Sequence, residues 1–279
     1  MASSSLSPED FLYVAELVRQ RAAIVLEAGK EYLVDARMRP LLRIFHCATV
    51  AELVERARDG RDTPLQQAIV EAMTTNETHF FRDRQFFEAL QEGVFPALIE
   101  ARRAERALSM WCAACSSGQE PYSVLMLLRE HFPQLRDWKI TFIVSDISRL
   151  MLERTRLGRY SQLEVNRGLP ASLLVKYFRR EGLEWQIADE LRQALDIRQI
   201  NLADRWPPMP RLDIVFLRNV LIYFDVETKK AVMQRVSRDL REDGLVFLGG
   251  SETMFGIDET YNRSPFTRAS CYSRKEPVQ

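Results

Sequence analysis

A run of small residues separates a strand-like segment from a helix-like segment near the middle of the 279-residue chain. The strand-like run Ala107–Ala113 leads into Cys115-Ser-Ser-Gly118, and helical periodicity begins at Pro121. Such a loop lets a ligand approach the backbone closely and meet the positive end of a helix dipole. It lacks both the Gly-x-Gly-x-x-Gly pattern of dinucleotide enzymes and the Gly-Lys-Ser/Thr of phosphate-binding loops. A helix N-cap without a ligand also fits this pattern.

Two carboxylates stand beside this loop and the next one. Glu120, at the entrance of the helix, would repel a pyrophosphate and attract an ammonium group. Asp146 follows the strand-like run Lys139–Ser145, where a carboxylate commonly accepts bonds from both ribose hydroxyls, although it also fits a cap for the helix near Ser148. Together with Gly118, these residues indicate a ligand that is a nucleoside with a nearby amino group and no phosphates. That description fits S-adenosylmethionine better than NAD or ATP.

The cysteines raise the question of a metal or redox site. Cys112-x-x-Cys115 has the spacing of half a zinc site or a redox pair. No second such pair follows, and the three histidines, His46, His79 and His131, show no ligand spacing. We therefore expect the two thiols to be small buried residues, with no bound metal and no disulfide framework among the four cysteines.

Two further segments carry polar residues to places where open α/β sheets bind ligands. Asn76-Glu-Thr-His-Phe-Phe-Arg82 stands where a helical part of the chain gives way to an α/β part. Arg218-Asn-Val-Leu-Ile-Tyr-Phe224 follows the strand-like run Asp213–Leu217. From their residues alone, each segment fits an ordinary linker or loop as well as a functional one.

The hydrophobic pattern divides the chain into a helical part and an alternating part. The first hundred residues predict helices over Glu9–Ala28 and Glu31–Phe45 (kinked or broken at Pro40), from Thr49, from Thr63, and after Asp83. From Ala107 onward, strands at Ala107–Ala113, Lys139–Ser145, Asp213–Leu217 and Leu245–Leu248 alternate with helices at Pro121–His131, Ser148–Arg156 and Val226–Leu240. Asp225 is expected to cap the last helix, with Gly244 just past its end. This alternation predicts an open parallel sheet with helices on both faces.

Two regions are less regular. Between Gly158 and Asn201, the strand-like runs Leu183–Ala188 and Ala194–Ile200 predict a small β insertion. The last run, Thr267–Ser273, is typical of an edge strand.

Composition limits the class of protein. Hydrophobic residues make up 46% of the chain, which is enough for a sizeable core and excludes a disordered chain. The 39 basic residues balance the 39 acidic ones, so no overall field favours nucleic acid or an anionic membrane. No apolar run approaches the ~18 residues that span a bilayer, and Met1–Ser5 has neither a basic nor an apolar region. We therefore expect a cytoplasmic protein without a signal peptide or membrane insertion.

Taken together, five segments resemble the CheR family, the chemotaxis receptor glutamate O-methyltransferases, in order and spacing over nearly the whole chain. They are Asn76–Arg82, Trp111-x-Ala-Ala-x-Ser-Ser-Gly-Gln-Glu-Pro-Tyr-Ser123, Ser145-Asp-Ile-Ser148, Asn201-Leu202 and Arg218–Phe224.

The resemblance implies a fold and a division into domains. The fold is an α/β class I S-adenosylmethionine-dependent methyltransferase, Rossmann-like with a mostly parallel sheet, a small β subdomain and an N-terminal all-helical domain. We expect the helical domain with its linker at residues 1–80. The methyltransferase domain then spans residues 81–279 and includes the small β subdomain at about 160–200.

The resemblance also implies a reaction and its residues. The expected activity is methyl transfer from S-adenosylmethionine to glutamate side chains of chemoreceptors, which forms methyl esters and leaves S-adenosylhomocysteine. The cofactor-binding positions are Asn76, Thr78, Arg82, Gly118, Glu120, Asp146, Asn201, Leu202, Asn219 and Val220. Arg82 and Tyr223 match the residues placed beside the transferring methyl group.

The expected partner is the cytoplasmic helical domain of a transmembrane chemoreceptor. Arg39 and Arg43 are one helical turn apart with Arg37 on a flank, and such a basic face suits a helix that carries glutamates. Between Tyr177-Phe178 and Asn201-Leu202, the chain resembles members without the glycine-containing loop extension. We therefore expect no binding of a C-terminal receptor pentapeptide, and no nucleic-acid partner.

Two other functions compete with this interpretation. A nicotinamide-dependent oxidoreductase uses a similar sheet, but Glu120 and the missing glycines argue against it. A non-catalytic signalling module that binds the nucleoside or a partner is opposed by the presence of both carboxylates and Tyr223.

Overall fold

The computed structural model describes residues 6–264 and 269–275, so Met1–Ser5 and the start of the predicted strand Thr267–Ser273 lie outside the described residues. The chain divides into two compact units. The first contains the residues up to Thr75 together with Tyr223–Thr228, and the second contains Asn76–Ile222 and the chain from Lys229 onward. Within the described ranges, no helix has both the length and the apolar character that a membrane crossing requires.

The first unit is built from amphipathic helices. They are α1 (Pro8–Ala22), α2 (Glu31–Phe45), α3 (Val50–Arg58) and α4 (Thr63–Met73). Side chains at helical spacing form the buried face, for example Val14 and Val18 on α1 and Val34 and Met38 on α2. Thr49 caps α3 by accepting a bond from the Glu52 N–H at 3.1 Å.

For these helices, the predicted end of the first is wrong, and of the two alternatives predicted at Pro40 the break is excluded while the kink stays a prediction. Helix α1 ends at Ala22 rather than Ala28, because Ala23 adopts a left-handed backbone and Ile24 then pairs with Phe224 as an isolated β-bridge. Helix α2 is continuous through Pro40 and is not broken there. Pro40 and Ala36 both lie on the exposed side, where water can bond the carbonyl that lost its helical donor.

The second unit contains a seven-stranded sheet in the order β6-β2-β1-β7-β8-β10-β9, together with a three-stranded antiparallel sheet in the order β3-β5-β4. The strands are β1 (Ala107–Ala113), β2 (Lys139–Asp146), β3 (Arg159–Ser161), β4 (Phe178–Glu181), β5 (Glu184–Ile187), β6 (Leu195–Gln199), β7 (Leu212–Leu217), β8 (Leu240–Leu248), β9 (Tyr261–Arg263) and β10 (Cys271–Arg274). The helices are α5 (Arg84–Ala89), α6 (Phe95–Ala101), α7 (Gln119–His131), α8 (Arg149–Leu157), α9 (Gln162–Asn166), α10 (Ala171–Tyr177), α11 (Asp189–Arg192) and α12 (Val226–Asp239). Leu90–Val94 forms a π-helical turn between α5 and α6, and Leu221–Tyr223 forms a 3₁₀ turn.

The large sheet confirms the predicted, mostly parallel arrangement. Strands β6, β2, β1, β7 and β8 are parallel, and β10 and β9 add an antiparallel edge. One face of β1 places Met110 and Cys112 in the main apolar cluster with Phe86 and Tyr122. Trp111 points to the opposite face and is also fully buried, so both faces of the sheet are covered.

Three features of this unit differ from the sequence predictions. The run Ala194–Ile200 is not part of the small insertion, because β6 pairs in parallel with β2 at the edge of the large sheet. Gly244 does not follow a helix end but lies inside β8, where an added Cβ would come within 2.7 Å of the Leu240 side chain. Strand β10 is flanked by β8 and β9 and is therefore not an edge strand.

Asp213 connects β7 to strand β1 and to the end of α6. Its carboxylate is 1% exposed and accepts bonds at 2.7 Å from the Arg102 Nε and from the Ser109 N–H of β1. Arg102 lies at the end of α6 and also pairs with Asp243 of β8 at 2.5 Å. One buried guanidinium therefore joins a helix end to two strands of the sheet that carries the site.

We expect Asp213→Ala to lower the free energy of unfolding by about 3–5 kcal/mol, because it leaves a buried guanidinium without one of its partners. Urea denaturation followed by circular dichroism measures the change. Glu153→Ala, which breaks an exposed ion pair with Arg156, is the matched control and should change stability by less than ~1 kcal/mol. An Asp213 variant as stable as this control would contradict the assignment.

Candidate functional site

The loop between β1 and α7 is tightly wound. Ala114, Ser116 and Gly118 all have positive φ, at 57°, 50° and 89°. The Cys115 N–H donates to the Ser145 carbonyl at 2.8 Å, which holds the loop against the end of β2. A Cβ at Gly118 would lie 2.8 Å from a Thr155 methyl carbon, so both packing and backbone conformation require glycine there. The role of Gly118 in cofactor binding stays a prediction.

Asp146 joins this loop to the one after β2. Its buried carboxylate accepts bonds from the Ser116 N–H and the Ser148 N–H, each at 2.9 Å. The N-cap of α8 is Ser148 itself, whose hydroxyl accepts from the Met151 N–H at 3.3 Å. A carboxylate offers about four lone-pair positions, so Asp146 can accept several bonds at once.

Glu120 lies at the first turn of α7 and is paired with a cation. Its side chain is 14% exposed and forms an ion pair with Arg218, which follows β7. The Cys112 thiol also donates to Glu120 at 3.5 Å. Arg218 forms a second ion pair with Asp83. The residue that the sequence suggested as an ammonium acceptor is thus already part of a charged group of three side chains.

Cys112 and Cys115 are both buried and are not joined in a disulfide. Burial, followed by the nearby Glu120 carboxylate, raises the pKa of the Cys112 thiol well above its usual value. Burial is also the first cause of the raised pKa of Cys115. Both groups are therefore neutral thiols at neutral pH, and a thiolate is the form that binds zinc or attacks a disulfide. Among residues 6–264 and 269–275, no cluster of three or more His, Cys, Asp or Glu side chains is placed to hold a metal ion.

The segment Asn76–Arg82 is held against the loops of the sheet. The Ser116 hydroxyl donates to the Asn76 carbonyl at 3.0 Å, and the Phe81 N–H donates to the Ser123 hydroxyl on α7 at 3.0 Å. Phe80 is fully buried, with its ring centroid 5.0 Å from that of Tyr160. The aromatic pair of this motif therefore packs into the core and fixes the polar residues on either side of it.

Arg82 and Thr78 are half-buried within this segment. The Arg82 guanidinium donates to the Glu77 carbonyl at 3.0 Å and so bonds to its own segment.

The ends of β6 and β7 carry the remaining residues that were predicted to bind the cofactor. Asn201 follows β6, and its amide oxygen accepts from the Ala203 N–H at 3.0 Å. Leu202 beside it is buried. Asn219 follows β7 with a φ of 59°, and Val220 after it is half-buried. The Ile200 N–H donates to the Asp146 carbonyl at 3.1 Å, which brings the ends of β2 and β6 together.

Glu252 is a site residue that the sequence reasoning missed. Its buried carboxylate accepts bonds from the N–H groups of Asn219 at 2.7 Å, Gly249 at 2.6 Å and Ile222 at 3.2 Å. It thereby fixes the backbone of the loop after β7 from the loop after β8. Its position in Gly249-Gly-Ser-Glu252, just after a buried strand, is the signal that could have identified it.

Within the second unit, the structure brings these residues together at the carboxyl ends of the parallel strands of the large sheet. Strand β1 stands between β2 and β7, where the order of strands reverses, and open α/β sheets bind ligands outside such a point. The other predicted residues belong to the first unit: Tyr223, whose carbonyl accepts from the Val25 N–H at 2.9 Å, and the three arginines of α2.

Those three arginines differ in their surroundings. Arg37 donates to the Met73 carbonyl at 2.7 Å and to the Thr75 hydroxyl at 2.9 Å, so it ties α2 to the end of α4. Arg39 is 61% exposed and pairs with Asp35 at 2.7 Å. Arg43 is exposed and makes no ion pair with the described residues.

Comparison with known proteins gives two family matches. The family domain described as CheR methyltransferase, SAM binding domain, matches residues 76–270, and that described as CheR methyltransferase, all-alpha domain, matches residues 9–74. Chemotaxis protein methyltransferase 1 of Pseudomonas aeruginosa is 37% identical, covering 92% of this chain and 94% of its own. Chemotaxis protein methyltransferase Cher2 of Pseudomonas putida is 35% identical over 99% of this chain and 100% of its own. A chemotaxis protein methyltransferase of Vibrio parahaemolyticus is 34% identical over 94% of this chain and 95% of its own.

We expect Asp146→Asn to weaken the binding of S-adenosylhomocysteine by about 10-fold or more, because the amide loses acceptor capacity and turns an N–H₂ toward backbone donors. Isothermal titration calorimetry measures the affinity. The matched control is Asp196→Asn on the neighbouring strand β6, where the carboxylate is 45% exposed and pairs with Arg198. An affinity equal to that of the control would show that Asp146 only fixes the loops.

Proposed function

The chain belongs to the CheR methyltransferase family, and from that premise we propose that it transfers the methyl group of S-adenosylmethionine to glutamate side chains of chemoreceptors, forming glutamate methyl esters. The main support is identity of 34–37% to chemotaxis protein methyltransferases over more than nine-tenths of the chain. The chain is a class I methyltransferase, and S-adenosylmethionine is its cofactor. Chemosensory adaptation, in which receptor methylation adjusts signalling, is the proposed role.

The chemistry of the strand-end residues fits this cofactor. The residues proposed to hold it are Asn76, Thr78, Arg82, Gly118, Glu120, Asp146, Asn201, Leu202, Asn219 and Val220. Asp146 is a buried acceptor that suits a ribose, and Glu120 is an acceptor that suits an ammonium group. Neither suits a phosphate, which also disfavours a dinucleotide in this position.

S-adenosylmethionine supplies an electrophilic methyl group on a sulfonium. A glutamate carboxylate is ionised at neutral pH, so this protein needs no general base. Its residues instead have to orient the carboxylate and exclude water, which stabilises separated charges more than a transition state in which they disappear. Arg82 and Tyr223 are the proposed positioning groups. Too strong a pair between Arg82 and the carboxylate would stabilise the ground state and slow the reaction.

The partner proposed for this enzyme is the cytoplasmic helical domain of a chemoreceptor, which places the reaction in the cytoplasm. Binding of a receptor pentapeptide is not part of the proposal. In the small sheet, β4 and β5 are joined by Gly182-Leu183 alone, because Glu181 pairs directly with Glu184. This two-residue connection leaves no extended loop between the two strands.

A methyl-transfer assay tests the function. With radiolabelled S-adenosylmethionine and a cytoplasmic receptor fragment, the protein should produce base-labile methyl esters on glutamates. Arg82→Ala should lower kcat/KM by about 100-fold at saturating cofactor while leaving the melting temperature unchanged, as expected for lost positioning. Arg84→Ala, at a neighbouring and 90% exposed position, is the control.

Two results would count against these assignments. Full activity of Arg82→Ala would show that Arg82 has no role in the reaction. Wild-type protein that binds the cofactor and labels no receptor fragment would favour the non-catalytic signalling module.

The exposed arginines of α2 give a separate test of receptor binding. We expect Arg39→Glu/Arg43→Glu to raise the KM for the receptor fragment about 10-fold at low salt and less at high salt, since exposed charges are screened. The affinity for S-adenosylhomocysteine should not change. Arg61→Glu, at an 87% exposed position outside α2, is the control. A defect in cofactor affinity with an unchanged receptor KM would contradict this role.

A further inference from the structure

Arg218 is a buried cation that none of the proposed roles explains. Its side chain is 1% exposed and forms ion pairs with Glu120 and Asp83, one through each terminal nitrogen. Its guanidinium carbon lies 3.9 Å from the centroid of the Phe86 ring. The two carboxylates and the aromatic face together fix the plane of the guanidinium, and the guanidinium in turn fixes the carboxylate of Glu120.

The charges of this group do not cancel. One guanidinium faces two carboxylates, so the three side chains carry a net charge of −1. The neighbouring Cys112 adds no charge, because burial raises the pKa of its thiol well above the usual value. Although Asp83 is partly exposed, Arg218 and Glu120 are largely shielded from water, so the excess negative charge beside them favours a cation as ligand. Glu120 is the member that stands at the N-terminus of α7, beside the loop after β1.

The amino group of the cofactor's methionine portion is a cation of this kind. Without Arg218, the Glu120 carboxylate would keep the weak bond from the Cys112 thiol on one oxygen, whereas the Arg218 pair fixes its other oxygen. We propose that Arg218 is a positioning residue for the cofactor, which acts through Glu120 on the amino group of the methionine portion, with Asp83 supplying the second negative charge. This inference rests on the proposed function only through the cofactor, and not through the receptor substrate.

Two ligands separate this role from general support of the fold. S-adenosylhomocysteine and 5′-methylthioadenosine share the adenosine and the thioether, but only the former has the amino-acid portion. Arg218→Lys keeps the charge and loses the two-armed contact and the stacking on Phe86. By calorimetry, we expect it to weaken S-adenosylhomocysteine binding about 10-fold and to change 5′-methylthioadenosine binding less than about twofold. An equal loss for both ligands, or no loss for either, would overturn the proposal.

A second variant keeps the test decisive if Arg218→Lys does not fold. Asp83 is 46% exposed and has a φ of 67°, a backbone conformation that asparagine adopts readily, so Asp83→Asn should fold. It removes one negative charge, and the remaining pair is neutral. We expect about threefold or greater loss of S-adenosylhomocysteine affinity with unchanged 5′-methylthioadenosine affinity. Unchanged affinity for both ligands in folded Asp83→Asn would also overturn the proposal.

The matched control is Arg84→Lys, the same substitution at an exposed neighbour that pairs with Glu88, and it should alter neither affinity. A double variant adds a measure of coupling: with Glu120→Gln already present, Arg218→Lys should cause little further loss of S-adenosylhomocysteine affinity.

Wild-type protein that binds S-adenosylhomocysteine and methylates no receptor fragment would reject the proposed substrate and leave this comparison intact. Receptor methylation by the wild type, with equal losses of both ligands in Arg218→Lys, would reject only the positioning role.

Discussion

Buried carboxylates that accept backbone N–H bonds hold the loops at the carboxyl ends of the strands in the large sheet. Residues with positive φ, such as Ser116 and Asn219, turn their N–H groups away from any regular ladder, and each such group needs another acceptor. Asp146 accepts from Ser116, and Glu252 accepts from Asn219. A fixed acceptor restricts the conformations that such an irregular loop can adopt in the absence of a ligand. The shape of the site therefore depends on the positions of the Asp146 and Glu252 carboxylates. The register of β2 sets the first position, and the loop after β8 sets the second.

Much of the fold follows from local sequence, and the exceptions have identifiable causes. The bounds of β1 and the position of α7 follow from periodicity, because both elements are long and strongly apolar. The run Ala194–Ile200 has the pattern of a strand, but only its pairing with β2 decides which sheet it joins. The end of α1 is decided by the β-bridge between Ile24 and Phe224, a contact some 200 residues apart in sequence that no local window contains.

The candidate site shows the same division. Glu120 and Asp146 could be identified from the sequence, because a carboxylate at the end of a buried strand or at the start of the next helix is a local signal. The partners of these carboxylates could not. Arg218 reaches Glu120 from 98 positions away and Asp83 from 135 positions away, so only the folded chain reveals that one cation serves both. Glu252 was missed because two of its three donors, the N–H groups of Asn219 and Ile222, lie in the loop after β7, about 30 positions earlier in the chain.

The proposed reaction needs no general base, and it therefore makes particular demands on such a site. When the nucleophile is already ionised, rate depends on orientation and on the field around the reacting groups rather than on proton transfer. Side chains that had to reorganise during the reaction would offset part of that gain. A carboxylate that already accepts two or three backbone bonds has little freedom to move, and a guanidinium held by two carboxylates and a phenyl ring has still less. The same bonds that stabilise the loops therefore also prepare the electrostatic environment, and any substitution that loosens one of these acceptors should affect loop structure and ligand affinity together.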